Sequence, residues 1–296
     1  MNMKFGKRPV MFAYGFSLTG TSHLKNETVC QDANKIDRAK NGWVVAAIAD
    51  GVGSAMHSDV ASKIAVEASV KSCISEINNA KDKPDMPKIV ENAFTQAFNE
   101  IDKTCWSSEH VVTDYDTTLS LAIYDGKHIA YGHSGDGGII GLRMDGEYVR
   151  ITEPQKTEGI YVIPLRAGKD TWVIGRAENE YAAVLLATDG VYDAFFPYLL
   201  AGKPYVPLVR YFCDNNVLKL SKETVEEVAK SRESFLSSDA CAAITDDKTL
   251  VVIVNTAANP ELQYDSYYEE PNWQELKLEW DKKAYPHMFG KDEQEG

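Results

Sequence analysis

Two apolar runs, Trp43–Ala49 and Ala182–Ala187, each lead into an aspartate followed by glycine: Asp50-Gly51 after the first and, across Thr188, Asp189-Gly190 after the second. Short runs rich in Val, Ile, Leu and Ala that stop at polar residues and Gly read as buried strands. A strand end fixes the origin of the carboxylate, and the glycine lets backbone approach a ligand closely. Asp32, in Cys30-Gln31-Asp32-Ala33, and Asp246, in Thr245-Asp246-Asp247-Lys248-Thr249, complete the set. One Asp-Gly alone is an ordinary turn. Together, scattered carboxylates at strand ends point to a hard divalent cation such as Mg²⁺ or Mn²⁺.

Val10–Leu18, Leu119–Tyr124, His128–His133, Ile139–Arg143 and Leu250–Val254 read as further strands. Asp125-Gly126 and Asp145-Gly146 predict hairpin turns, because Asp-Gly tolerates positive φ. Two helices separate the early strands from this hairpin cluster. From Ser58, a predicted N-cap, an apolar stripe runs through Val60, Ile64, Ala68, Val70, Ile74 and Ile77. From Asp85, the set Ile89, Ala93, Ala97, Ile101 and Cys105 recurs every fourth residue, with Phe94 and Phe98 beside it. Lys203–Leu220 and Lys222–Leu236 hold interrupted helical patterns. Strands, two helices, then more strands indicate an α+β fold with antiparallel sheets.

The net charge of −13 repels nucleic-acid backbones and anionic membranes, so neither is an expected partner. Five cysteines, odd in number and without a C-x-x-C pair, indicate reduced thiols. The N-terminus lacks the apolar stretch of ~7–15 residues that a secretory signal needs, and no run approaches the ~20 residues of a membrane span. The expected location is therefore cytoplasmic. The expected organisation is a catalytic domain over 10–256 and an arm over 257–296. That arm carries ten acidic against four basic residues, yet also Tyr264, Tyr267, Tyr268, Trp273, Trp280 and Tyr285. Such aromatic content predicts packing onto the domain through Tyr267, Tyr268, Trp273 and Trp280.

Five motifs, in order, resemble the type-2C metal-dependent serine/threonine phosphatases, especially the bacterial branch. They are Gly20-Thr21-Ser22-His23 with Cys30-Gln31-Asp32-Ala33; Ala49-Asp50-Gly51-Val52-Gly53-Ser54; Thr117-Thr118 with Ser134-Gly135-Asp136-Gly137-Gly138; Thr188-Asp189-Gly190-Val191-Tyr192-Asp193; and Thr245-Asp246-Asp247-Lys248-Thr249-Leu250. The resemblance spans Ala13 to Val254. It implies a two-layer antiparallel β-sandwich flanked by helices (αββα) and paired Mn²⁺ or Mg²⁺ ions. By motif, Asp50 would bridge both metals and the Gly51 carbonyl would complete one site. Asp189 and Asp246 would ligate one metal, with Asp32 at the other. Asp136 and Asp193 match positions that hold a weaker third cation in some members. The implied reaction is hydrolysis of phosphoserine or phosphothreonine by a metal-bridging hydroxide. A phosphoprotein, with a cognate kinase, is the implied partner.

Two residues depart from the pattern. Glu27 stands where many members carry a phosphate-gripping Arg, leaving His23 or Lys25 for that task. Val52 stands where many carry His, leaving His57, His133 or a metal-bound water as proton donor. Two other readings compete: a phosphatase fold serving as a binding or regulatory module, and a haloacid-dehalogenase-like reading of Asp114-Tyr115-Asp116-Thr117-Thr118 with Asp114 as nucleophile.

Overall fold

A computed structural model describes residues 10–108, 110–157, 161–214 and 220–289. Its strands are β1 (Met11–Leu18), β2 (Ala33–Arg38), β3 (Val44–Ala49), β4 (Leu119–Tyr124), β5 (Ile129–Ser134), β6 (Gly138–Arg143), β7 (Tyr148–Arg150), β8 (Lys156–Thr157), β9 (Tyr161–Val162), β10 (Val173–Arg176), β11 (Tyr181–Ala187) and β12 (Lys248–Asn255). Its helices are α1 (Thr21–Lys25), α2 (Ser58–Asn79), α3 (Met86–Ser108), α4 (Asp189–Phe195), α5 (Val206–Phe212), α6 (Val225–Leu236), α7 (Trp273–Ala284) and α8 (Pro286–Phe289). One five-stranded sheet runs β1-β12-β11-β6-β7 and the other β10-β5-β4-β3-β2, while β8 and β9 form a separate two-stranded sheet. Every pairing is antiparallel.

The two-residue period of a strand explains why the apolar runs are continuous. In β3, Val44, Ala46 and Ile48 face the core between the sheets, where they meet Val184, Leu186, Val251 and Ile253. Val45, Ala47 and Ala49 face the other way, into a layer made by α2 and α3. In β11, Ala183, Leu185 and Ala187 likewise meet α4, α5 and α6. Both sheets are thus covered on both faces, which gives the expected αββα layering.

Differences from the expected pattern have local causes. The buried face of α2 is Ala61, Ala65, Val66, Ser69, Val70, Cys73 and Ile77, and Val60 is exposed. These small side chains let the helix lie close to β2, β3 and α3, so size rather than hydrophobicity marks the buried stripe. Ser58 is not the N-cap. His57 precedes the helix, and Ser58 is buried against Gly51, where an added Cβ would stand 2.7 Å from Ser58 backbone. Sequence reading missed β2, β7 and β10, which lie at sheet edges and carry polar or half-exposed residues. All five cysteines are free, as expected.

The arm begins by crossing the β6–β7 hairpin, with Glu261 N–H donating to the Met144 carbonyl (2.8 Å). Tyr267 and Tyr268 then pack beside the α5–α6 layer. The Tyr267 hydroxyl accepts from Tyr148 N–H (2.8 Å), and the Arg210 guanidinium lies 4.2 Å from the Tyr268 ring centre. Trp273 meets Tyr205 edge-on, and Trp280 meets Tyr198. Tyr264, by contrast, is 84% exposed and packs on nothing comparable. Tyr267 and Tyr268, which pack against the hydrophobic core, are therefore the anchor. Truncation after Ala258 should lower the melting temperature by about 4–10 °C, as expected for losing two partly buried tyrosines. Truncation after Glu270, which keeps both tyrosines, should cost less than half of that; equal losses in thermal melts would place the anchor in α7 instead.

Candidate metal centre

Antiparallel register gathers the acidic motifs at one end of both sheets. Ala33 pairs with Ala49, so Asp32, entering β2, stands beside Asp50, leaving β3. In the other sheet Ala187 pairs with both Gly138 and Leu250. That register sets Asp136, Asp189 and the Asp246-Asp247 pair side by side. The sandwich then places the two groups face to face. Carboxylate oxygens of Asp50, Asp136 and Asp189 all lie within 4.8 Å of one another. The pocket around them is also lined by His23, Gln31, Gly51, Val52, Thr118, Val162 and Asp246.

The surrounding backbone is held firmly. Asp50 N–H donates to the Thr118 hydroxyl (2.9 Å), while Thr117 Oγ1 and Thr118 N–H donate to the Asp50 carbonyl (2.9 and 2.8 Å). Asp32 is buried, and one of its oxygens accepts from Thr188 Oγ1 (2.8 Å). Its other oxygen is buried without a hydrogen-bond partner. Asp247 was not singled out as distinct from Asp246, yet its role differs. It accepts from Gly20 N–H and Gln31 N–H (both 2.6 Å), with His23 Nδ1 at 2.9 Å. One buried carboxylate thereby ties both ends of the first motif to the last. The doubled Asp246-Asp247 was the available signal, since neighbouring residues point to opposite sides as β12 begins.

Electrostatics shows what this arrangement costs the chain alone. Burial, and then the charges of Asp32, Asp189 and Asp136, hold the Asp50 carboxyl well above the usual range. Burial pushes Asp32 up to about 8, against the pull of hydrogen bonds from Thr188 and Thr249, with Asp247 and Asp189 adding to the rise. Burial, with Asp136 and Asp246, lifts Asp189 to about 6. Asp193 is raised by burial and Asp136 but lowered by Lys156. A clustered set of hard oxygen donors, short of counter-charge and including an orphaned buried oxygen, fits divalent cations.

Sequence-predicted residues fall into three groups. Asp50, Asp136 and Asp189 converge, which puts Asp136 in the tightest group. Asp246 and Gly51 line the same pocket, with Asp32 beside it and Asp193 one helical turn beyond Asp189. His23 also lines it, but its imidazole is engaged by Asp247. Lys25 is exposed and lines no part of the pocket. Neither candidate donor histidine lines it. His57 stacks with His110 and Tyr115 at ring-centre distances of 4.3 and 5.0 Å. His133 is fully buried beside Ser120 Oγ (2.8 Å), and burial lowers it to about 4. Lys156, unmarked in the sequence, does not line the pocket itself but brings Nζ to 3.4 Å from Asp136 Oδ2, which does. The dehalogenase-like reading has no support in the geometry. Asp114 sits in the one-turn segment Val112–Tyr115, and Asp116 is clamped by Arg166 through bonds of 2.5 and 2.7 Å.

The raised carboxyls imply a pH dependence for the metal-free protein. Asp32 ionises near 3.8 when unfolded and near 8 when folded. Its contribution to stability is therefore complete below the unfolded value and is lost as pH rises through the folded one. His133 has the opposite slope, but only between its folded value near 4 and its unfolded value of 6.5. In chelator, melting temperature should thus fall from about pH 6.5 to 8, and saturating Mn²⁺ should flatten the curve. Asp32→Asn should make it shallower in chelator, Asp50 keeping part of the slope; melting curves with the same slope in all three conditions would contradict the electrostatic account.

A family model described as Protein phosphatase 2C matches residues 19–237, which include every acidic site residue except Asp246. Comparison with curated proteins gives no match. Among solved structures, a bacterial serine phosphatase is 14% identical, with 83% of this chain and 98% of that one covered and a TM-score of 0.58. The serine/threonine phosphatase Stp1 from Staphylococcus aureus is 16% identical, with 86% and 98% covered and a TM-score of 0.55. The catalytic domain of the serine threonine protein phosphatase PstP, solved with 2 manganese ions, is 19% identical, with 82% and 97% covered and a TM-score of 0.56. At these identities the solved structures establish the fold, and the family model, matching most of the chain, establishes the kinship: this chain belongs to the protein phosphatase 2C family.

Proposed function

We propose that the protein is a metal-dependent phosphoprotein phosphatase that hydrolyses phosphoserine and phosphothreonine. The observation that carries this reading is the convergence of Asp50, Asp136 and Asp189 within 4.8 Å, in a pocket of a protein phosphatase 2C family member. Two divalent cations, Mn²⁺ or Mg²⁺, would be held by Asp50 between them, by Asp189 and Asp246 on one side, and by Asp32 on the other. The Gly51 carbonyl would complete one site, and Asp136 and Asp193 would serve a weaker third cation. The PstP structure with 2 manganese ions supports this choice of metal.

Cations so placed would lower the pKa of a shared water, supply the nucleophile at neutral pH and offset charge on the phosphoryl oxygens. The protein's own contribution is positional. Thr117 and Thr118 fix the Asp50 backbone, Thr188 orients Asp32, and Asp247 anchors the first-motif loop. Val52 and Val162 give the pocket an apolar wall. The substrate is a phosphoprotein, with its kinase as the matching partner and the cytoplasm as the setting. No helix among the described residues is long and apolar enough to cross a membrane.

Asp50→Asn and Asp189→Asn should each lower Mn²⁺-dependent hydrolysis of an aryl phosphate by on the order of 10³-fold, the loss of several kcal/mol of charge stabilisation. Both variants should remain folded by circular dichroism. Wild-type rates in either variant would refute the assignment. A wild-type protein that binds Mn²⁺ but turns over neither an aryl phosphate nor a phosphothreonine peptide would instead be a binding module.

A further inference from the structure

A phosphate dianion approaching this pocket meets carboxylates almost everywhere, so a cation is needed at the rim. Glu27 cannot supply it, Lys25 lines no part of the pocket, and the His23 imidazole, which does, carries a charge only when protonated and has Nδ1 2.9 Å from Asp247. Arg150 lies near Asp193, but its guanidinium is bonded to Glu153 and stacked 3.9 Å from the Phe196 ring centre. Arg166 is committed to Asp116. Lys156 remains. Its single ion pair among the described residues is the loose 3.4 Å approach to Asp136, and its side chain is 35% exposed.

The position of Lys156 is built into the backbone. The preceding residue, Gln155, donates its N–H to the Gly135 carbonyl (2.7 Å) and accepts from Gly135 N–H through Oε1 (3.2 Å). Its amide nitrogen donates to the Thr171 carbonyl (2.8 Å). Gly135 directly precedes Asp136, so these three bonds set Lys156 at a fixed register beside the acidic group. Across the two-stranded sheet, Lys156 pairs with Val162, itself part of the pocket wall. A long, flexible ammonium on a pinned base has donors to spare for a second anion.

We propose that Lys156 is the residue that grips the substrate phosphate in this chain, donating to a non-bridging phosphoryl oxygen while the opposite side of the group faces the metal-binding aspartates. This rests on the phosphatase reading and assigns a task that the first motif leaves unfilled.

The test is calorimetric titration of inorganic phosphate into Mn²⁺-saturated wild-type, Lys156→Ala and Lys156→Arg proteins, with KM for a phosphothreonine peptide measured alongside. Loss of a charge-assisted hydrogen bond should weaken phosphate binding by about 10- to 100-fold in the alanine variant, with a matching rise in KM. The arginine variant should stay within several-fold of wild type. Unchanged phosphate affinity in Lys156→Ala would overturn the proposal. So would unchanged phosphate affinity combined with uptake of an additional Mn²⁺ ion, which would make Lys156 only a counter-ion to Asp136. Absence of turnover by the wild type would count against the phosphatase reading, while the phosphate titrations would still decide the role of Lys156.

Discussion

The fold is organised around a repulsion. Asp50, Asp136 and Asp189 are driven together and Asp32 is buried beside them, although burial and mutual charge raise Asp32, Asp50 and Asp189 out of the ordinary carboxyl range. Left to itself such a cluster opposes folding, because each ionised member would be more comfortable in water. Apolar layers on both faces of both sheets supply the opposing force. On the proposed function, bound cations would turn the same cluster from a liability into a cross-link between the sheets.

Precision at the site comes from elements that carry no chemistry. Strand register decides which aspartates are neighbours, since Ala33 opposite Ala49 and Ala187 opposite Gly138 and Leu250 leave little freedom beyond the strand ends. Asp247 joins chain segments more than two hundred residues apart, through Gly20 and Gln31. Close contacts demand minimal side chains: Gly51 against Ser58, and Gly190, where an added Cβ would lie 2.2 Å from the Asp247 carbonyl oxygen. Gly190 begins α4 behind Asp189, so it serves packing as much as turning.

Much of this was legible in the sequence, for identifiable reasons. Central strands such as β3 and β11 announce themselves because both faces are buried, and their terminal aspartates stand out against the apolar run. Helix α3 shows its every-fourth-residue stripe plainly, whereas α2 conceals its buried face in Ala and Ser. The edge strands β2, β7 and β10 stay hidden because their half-exposed positions tolerate polar residues. At the site, motif order indicated which carboxylates matter but not their distances, which depend on register between distant strands. Nor does sequence reveal that Asp247 closes on Gly20, Gln31 and His23, or that His133 is sealed away. Lys156 is illegible for the same reason: its relevance comes from Gln155 binding Gly135, a contact between separate loops.

The central claim is that the acidic cluster is a divalent-cation centre. Anomalous diffraction from crystals grown with Mn²⁺ tests it most directly. The account predicts two peaks roughly 3.5–4 Å apart with Asp50 between them, Asp189 and Asp246 at one and Asp32 at the other. Density without anomalous signal at these residues, at a metal concentration that saturates the protein in solution, would contradict it.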